Sequence, residues 1–193
     1  MARGADTKQR IIDGALRLFA EHGVDGTSIR DIAAAASITE PAIYRHFRSK
    51  DDLVWQIFWS GYCALGETLQ QAKTAQPQLR PRLAAMIETI CAFYDRDTPL
   101  FRFLLLTQHG QLAKITEREK GPVQALHDQL AAAIAAGALP PQDAELATST
   151  VFGIVLQAAT FKIYGRLDKP LAHYAPALTA ACWSALNPLP LQS

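Results

Sequence analysis

Three bases, Arg45, Arg48 and Lys50, fall within residues 41–50, a stretch that contains no acid. Tyr44 and His46 are interleaved with them, and Thr39 and Glu40 lie just upstream. The chemistry open to such a set is recognition of polyanions. Ammonium, hydroxyl and phenol groups bond phosphate oxygens, and guanidinium also fits the edges of bases. Thr39, Tyr44 and Lys50 are thus candidate phosphate contacts. Arg30 suits a base edge or a phosphate, and Glu40, Ala42, Arg45 and His46 are the remaining candidates to face a groove. Charge alone argues little: residues 1–50 hold eight Lys/Arg against six Asp/Glu, and the whole chain carries a formal +1. Catalytic patterns are missing from the sequence, which has no phosphate loop, GxSxG elbow or HExxH pair. His109 and His127 lack carboxylate or cysteine neighbours at ligand spacing, so no enzyme, metal or cofactor is expected. Cys63, Cys91 and Cys182 are odd in number and far apart, which implies a reducing compartment without a disulfide framework.

The elements that must hold these groups are helical, and strand signals are nearly absent. Ile11, Ile12, Ala15, Leu16 and Phe19 recur at helical spacing, with Asp6 or Thr7 as a cap and Gly23 as a stop. A second helix starts at Thr27 or Ser28, where Ser28 and Asp31 have capping-box spacing, and carries Ile29, Ile32, Ala33 and Ala36. After a tight connection at 37–39, a short third helix has Thr39 as N-cap and Pro41 in its first turn, and ends near Phe47. Ser49 caps a longer fourth helix bearing Leu53, Val54, Ile57 and Phe58. Further helices are predicted over about 80–96, 99–112, 121–137, 142–166 and 171–187, with Gln76-Pro77, Gly110, Gly137, Pro140-Pro141 and Lys169-Pro170 as punctuation. The fold class is therefore all-α. Two short helices joined by a few residues, the second one polar and basic, form a helix-turn-helix whose second helix enters a major groove.

Residues 23–33 (GVDGTSIRDIA), 39–47 (TEPAIYRHF) and 49–53 (SKDDL) together resemble the DNA-binding domain of the tetracycline-repressor (TetR-type) family. The resemblance covers about the first third of the chain. It implies an N-terminal three-helix domain over 1–52, with its motif at about 28–47, and a larger helical domain over 53–193 for effector binding and dimerisation. It carries over Thr27, Ser28, Thr39, Tyr44 and Lys50 as phosphate contacts. Arg30, Glu40, Pro41, Ala42, Arg45 and His46 sit where that family meets bases or the adjacent backbone.

Two C-terminal stretches want cover. From 151 to 164 apolar residues appear on nearly every face, and after Lys169 there is no charged residue. Exposed, that much apolar surface would be unusual for a monomer. A homodimer is expected, with Val151, Val155, Ala158, Ala159, Leu178, Ala181 and Trp183 at the interface as part of a four-helix bundle. The alternative is that both helices are simply core. The resemblance further implies a cavity for a small, largely apolar effector, for which Trp59, Tyr62, Phe93, Phe103, Gln108, Gln157 and Phe161 are the candidates. The apolar run 146–161 is too short and too hydroxyl-rich for a membrane span, and no signal peptide opens the chain, so a cytoplasmic protein is expected. The whole reads as a dimeric repressor that binds a palindromic double-stranded operator and is released by an effector. A ligand-independent regulator, an activator and a helical protein-interaction scaffold remain the alternatives.

Overall fold

The computed structural model describes residues 2–75, 78–116 and 121–188, and the side chains of these except 2–5 and 73–75. Gln76 and Pro77, predicted as punctuation, lie outside the described residues. Among those described, the regular structure is helical throughout: α1 Ala2–His22, α2 Ile29–Ala35, α3 Glu40–Ile43, α4 Lys50–Ala75, α5 Leu79–Arg96, α6 Thr98–Gln111, α7 Pro122–Ala135, α8 Ala144–Ile163 and α9 Ala175–Leu186. The chain divides into two compact units, one of residues 1–61 with 99–114, the other of 62–98 with 115–193. The first unit so defined runs past residue 52 into α4 and includes α6. Phe103 of α6 stacks on Phe19 of α1 with ring centroids 5.5 Å apart, a contact no local pattern announces.

In the first unit α1 presents Ile11, Ala15, Leu16 and Phe19 to the core, the i, i+4, i+8 stripe that its sequence spelled out. It begins four residues before the expected cap at Asp6. Its end is as expected: Gly23 sits at φ +74° and its N–H reaches Phe19 O at 3.0 Å. Gly14 faces Ala35 where α1 and α2 cross, and a Cβ there would lie 3.4 Å from the Ala35 Cβ, at van der Waals contact. Ile32, Ala33, Ile43 and Phe47 complete this core with Leu53, Val54, Ile57 and Phe58 of α4. Burying such side chains stabilises the unit by roughly 1.5–3 kcal/mol each.

The second unit packs α5, α7, α8 and α9 around Met86, Ile87, Ile90, Leu126, Leu130, Val155 and Leu186. Its polar groups fasten particular joints. Arg82 donates to Gln129 Oε1 at 2.8 Å, and the Asp95 carboxylate accepts the N–H groups of Leu171 and Ala172, each at 2.8 Å. That pair anchors a 3-10 turn, Leu171–Tyr174, ahead of α9. The regular helix starts only at Ala175, with Pro176 in its first turn where a missing N–H costs nothing.

Candidate nucleic-acid interface

The start of α2 is fixed by a complete capping box. Ser28 Oγ accepts from Asp31 N at 3.2 Å, and Asp31 Oδ2 accepts from Ser28 N at 2.9 Å and from Ser28 Oγ at 2.6 Å. Those hydrogen bonds, side-chain first, hold the Asp31 carboxyl below its ordinary pKa. The connection to α3 closes through Ile38 N to Ala33 O at 3.0 Å, with Ser37 in the left-handed region at φ +55°. That strained turn is braced from α1. The Arg10 guanidinium donates to Ala36 O and, at 3.4 Å, to Ser37 O. Thr39 opens α3 with extended φ and ψ but no side-chain cap bond.

Helix α3 has only four residues and then turns through His46, shorter than the helix to Phe47 that the sequence suggested. The two anchors are unchanged: Ile43 and Phe47 are buried. Opposite them Glu40, Pro41, Tyr44 and Arg45 are exposed, Tyr44 by 54%. Positions 40, 41, 44 and 45 follow one another at helical spacing, so a single face carries them. Ala42 and His46 are half-buried, the His46 ring lying 6.4 Å from that of Phe47. Ser28, Arg30 and Thr39 are exposed.

Two candidate phosphate contacts are engaged within the chain. Thr27 is 2% exposed and its hydroxyl donates to Gly23 O at 2.8 Å, so that hydroxyl builds the turn and is not presented outward. Lys50, half-buried, donates from Nζ to Val24 O at 3.1 Å and Thr27 O at 3.2 Å. It thereby ties the head of α4 to the loop that leads into α2.

The head of α4 carries a second local cap. Asp52 N donates to Ser49 Oγ at 3.1 Å, as Ser49's place in the sequence suggested, and Asp52 Oδ2 accepts from Arg48 N at 2.7 Å. The Arg48 amide, then Gln56, keep the Asp52 carboxyl below its ordinary pKa. Gln56 also accepts from Lys8 Nζ at 3.0 Å, and that ammonium sits 5.4 Å from the Phe47 ring centroid. Sequence reading missed Lys8, Arg10 and Gln56 as positioning residues. Lys8 and Gln56 meet across 48 positions and Arg10 reaches Ala36 across 26, so no spacing rule could have marked those contacts.

The candidate effector residues are drawn from both units. Trp59, Phe103 and Gln108 belong to the first unit, whereas Tyr62, Phe93, Gln157 and Phe161 belong to the second. Trp59 stacks on Trp55 at 5.6 Å, and Phe93 is buried in the second core under the Arg96 guanidinium. Tyr62 packs against Gly121, where a Cβ would come within 2.3 Å of its ring. Gln157 and Phe161 line an open groove on α8 together with Gly153, Ile154, Ala158 and Leu178.

That groove also corrects the interface set. Val151, Val155 and Ala159 are at most 1% exposed, because positions i, i+4 and i+8 of α8 face the core of their own unit. Ala158 and Leu178 lie on the open face, Ala181 is exposed, and Trp183 is half-buried beneath the Arg80 guanidinium. At 20 residues, α8 is long and apolar enough to cross a membrane by length and composition alone, a test that core helices also pass, and 28% of its apolar window is buried. Among the described residues no cluster of three or more His, Cys, Asp or Glu could hold a metal ion.

Comparison with known proteins matches residues 11–57 to the family described as bacterial regulatory proteins, tetR family. The regulator AcrR of Shigella flexneri is 47% identical over 62 residues, which are 32% of this chain and 29% of that protein. The probable acrEF/envCD operon repressor of Escherichia coli K12 is 37% identical over 109 residues, 53% of this chain and 49% of its own. The chain thus spans half or less of the length of these relatives. The solved FadR of Bacillus subtilis, in complex with stearoyl-CoA, superposes with a TM-score of 0.75 over 93% of this chain and 99% of that one, at 21% identity. At that identity the likeness is one of fold.

Proposed function

We propose that this chain, whose residues 11–57 match the tetR family of bacterial regulatory proteins, is a transcriptional repressor of that kind that binds a palindromic DNA operator as a homodimer. The observation that carries the reading is the exposed face Glu40, Pro41, Tyr44 and Arg45, set on a short helix whose opposite side is locked by Ile43 and Phe47. Such a helix fits the major groove, with Arg45 and Glu40 suited to base edges and Ser28, Thr39 and Tyr44 to phosphates. Arg30, exposed on α2, reaches a base edge or the backbone beside it.

The open apolar groove on α8 supports the dimer, since a second copy would cover what one chain leaves in water. It also gives the membrane-length helix a use in a cytoplasmic protein. Two readers about 34–36 Å apart, one helical turn of DNA, then match a two-fold operator. Release by a small effector follows as a population shift: a ligand that prefers a form with the readers out of register lowers DNA affinity. The fold shared with a FadR solved with stearoyl-CoA bound supports that part. Footprinting on the promoters of the chain's own and neighbouring genes, with and without candidate effectors, tests the proposal. A two-fold protected site lost on effector addition is the expected result. Absence of any protected site removes the repressor reading.

A further inference from the structure

A cavity of about 380 Å³ lies wholly within the first unit, among α1, the loop after it, α4 and α6. Phe19, Val24, Val54 and Phe103 give it an apolar wall. Gly23 and Gly110 border it, and a Cβ built on either meets nothing within 4 Å. Arg102 also lines it, and its Nε is shut off from solvent with no hydrogen-bond partner among the described residues. Arg102 as a whole is half-buried, but this one N–H of a permanently charged guanidinium lies out of water without an acceptor, which is costly. No oxygen of the lining accepts from it: the Thr107 hydroxyl donates to Phe103 O at 2.6 Å without bonding Arg102, and the Asp25 carboxylate is exposed to water. A mostly apolar cavity with this unmet cationic donor in its wall has a definite complement.

We propose that this cavity binds an organic carboxylate with a compact apolar body. Its carboxylate pairs with the Arg102 guanidinium, whose fork suits two oxygens at once. Its body lies against Phe19, Val24, Val54 and Phe103. The site differs from the α8 groove in unit and in lining. Its position gives it a consequence. Val24 is also the residue whose carbonyl Lys50 holds, four positions before the Ser28 cap of α2. An occupant pressing on Val24 therefore acts on the loop that sets the start of the DNA reader. That consequence rests on the repressor reading, whereas binding itself does not.

Calorimetric titration of the full chain with 3-phenylpropanoate, its primary amide and 3-phenylpropylamine tests the site. The acid should bind about tenfold or more tightly than the amide, and the amine should not bind. Arg102→Met should abolish the preference for the acid, Arg102→Lys should keep part of it, and Gly110→Phe should close the cavity mouth to all three. The last variant adds a helix-favouring residue to α6, so it should fold, and circular dichroism checks each protein. Equal binding of acid and amide, acid binding unchanged by both Arg102→Met and Gly110→Phe, or no acid binding at millimolar concentration overturns the proposal. Operator affinity measured with the acid present separates the two claims. Binding without any effect on DNA removes the coupling to α2 and leaves the site standing.

Discussion

Lys50 can be asked which of two roles it plays. It is the first residue of α4, where a positive charge opposes the helix dipole at a cost of about 0.3–1 kcal/mol. Its hydrogen bonds to Val24 O and Thr27 O, at 3.1 and 3.2 Å, must outweigh that cost. Each charge-assisted bond contributes about 1.5–3 kcal/mol, and the low end applies to a half-buried group. Replacing Lys50 by Met keeps the apolar stem and removes the ammonium. Two bonds lost, less the relief at the dipole, leave a net destabilisation of about 2 kcal/mol. For a chain of this size that lowers Tm by roughly 4–8 °C in a calorimetric or dichroism melt. The same variant titrated against operator at several salt concentrations gives an independent reading. A brace that stays on the loop leaves the slope of log affinity against log salt unchanged while affinity falls. A phosphate contact reduces the slope by about 0.9 per subunit. An unaltered Tm together with a slope reduced by that amount would refute the brace and restore the side chain to the DNA.

Three further outcomes are expected. Asp31 and Asp52 both have folded pKa values below the ordinary one, so the unfolded state takes up protons first as pH falls. Their stabilisation is present above about pH 4 and lost as pH drops through the folded values, and melts of Asp52→Asn should show a flatter acid limb than the parent. Burial pushes the Cys91 thiol up to about 12 and Cys182 to about 11, whereas Cys63 is half-buried. A thiol reagent at pH 8 should modify Cys63 alone in the folded protein and all three cysteines in denaturant, and fast reaction of a second native thiol would contradict the packing. On α8, Ala158→Glu should yield a monomer by sedimentation with its helix content intact, whereas Val155→Ala should cost about 2 kcal/mol of stability and leave the assembly unchanged. Reversed outcomes would mean that the two faces of α8 have been exchanged.

What was legible in the sequence is what local spacing encodes. Ser28 with Asp31, and Ser49 at the head of α4, were readable because a capping box closes over three residues. The buried stripe Ile11, Ala15, Phe19 was readable because Lys8, Arg10, Asp13 and Arg17 mark the wet faces of α1. In α8 that contrast fails. The helix is apolar on every side, so its period carries no face, and residues chosen together for one interface divide between the core and the open groove. Only the packing of α5, α7 and α9 decides which side is inside. The placement of α6 was hidden for another reason. Phe19 and Phe103 stack across 84 positions, and each sits in a stretch that reads as an ordinary core helix by itself.

The loop before α2 changes what the recognisable string means. Gly23 is needed for a positive φ, and a Cβ on Gly26 would fall 2.3 Å from His22 O. Thr27 is buried with its hydroxyl on Gly23 O, and Ser28 and Asp31 are occupied with each other. Lys50, 23 residues on from Thr27, closes the same loop from outside. The residues that make the sequence recognisable are thus mostly those that build and brace the start of α2. Backbone requirements of this kind do not vary with the DNA being read, so on the proposed function the string would mark a reader without indicating its text. On the proposed reading, discrimination would fall to the few side chains the scaffold leaves outward, among them Arg30 on α2 and Glu40 and Arg45 on α3, with Tyr44 beside them. Of these, Tyr44 suits the backbone, and Arg30, Glu40 and Arg45 have the donors or acceptors to tell one base edge from another. A change of operator preference should therefore follow substitution at those three positions, while substitution at Gly26 or Thr27 should weaken binding to every sequence alike.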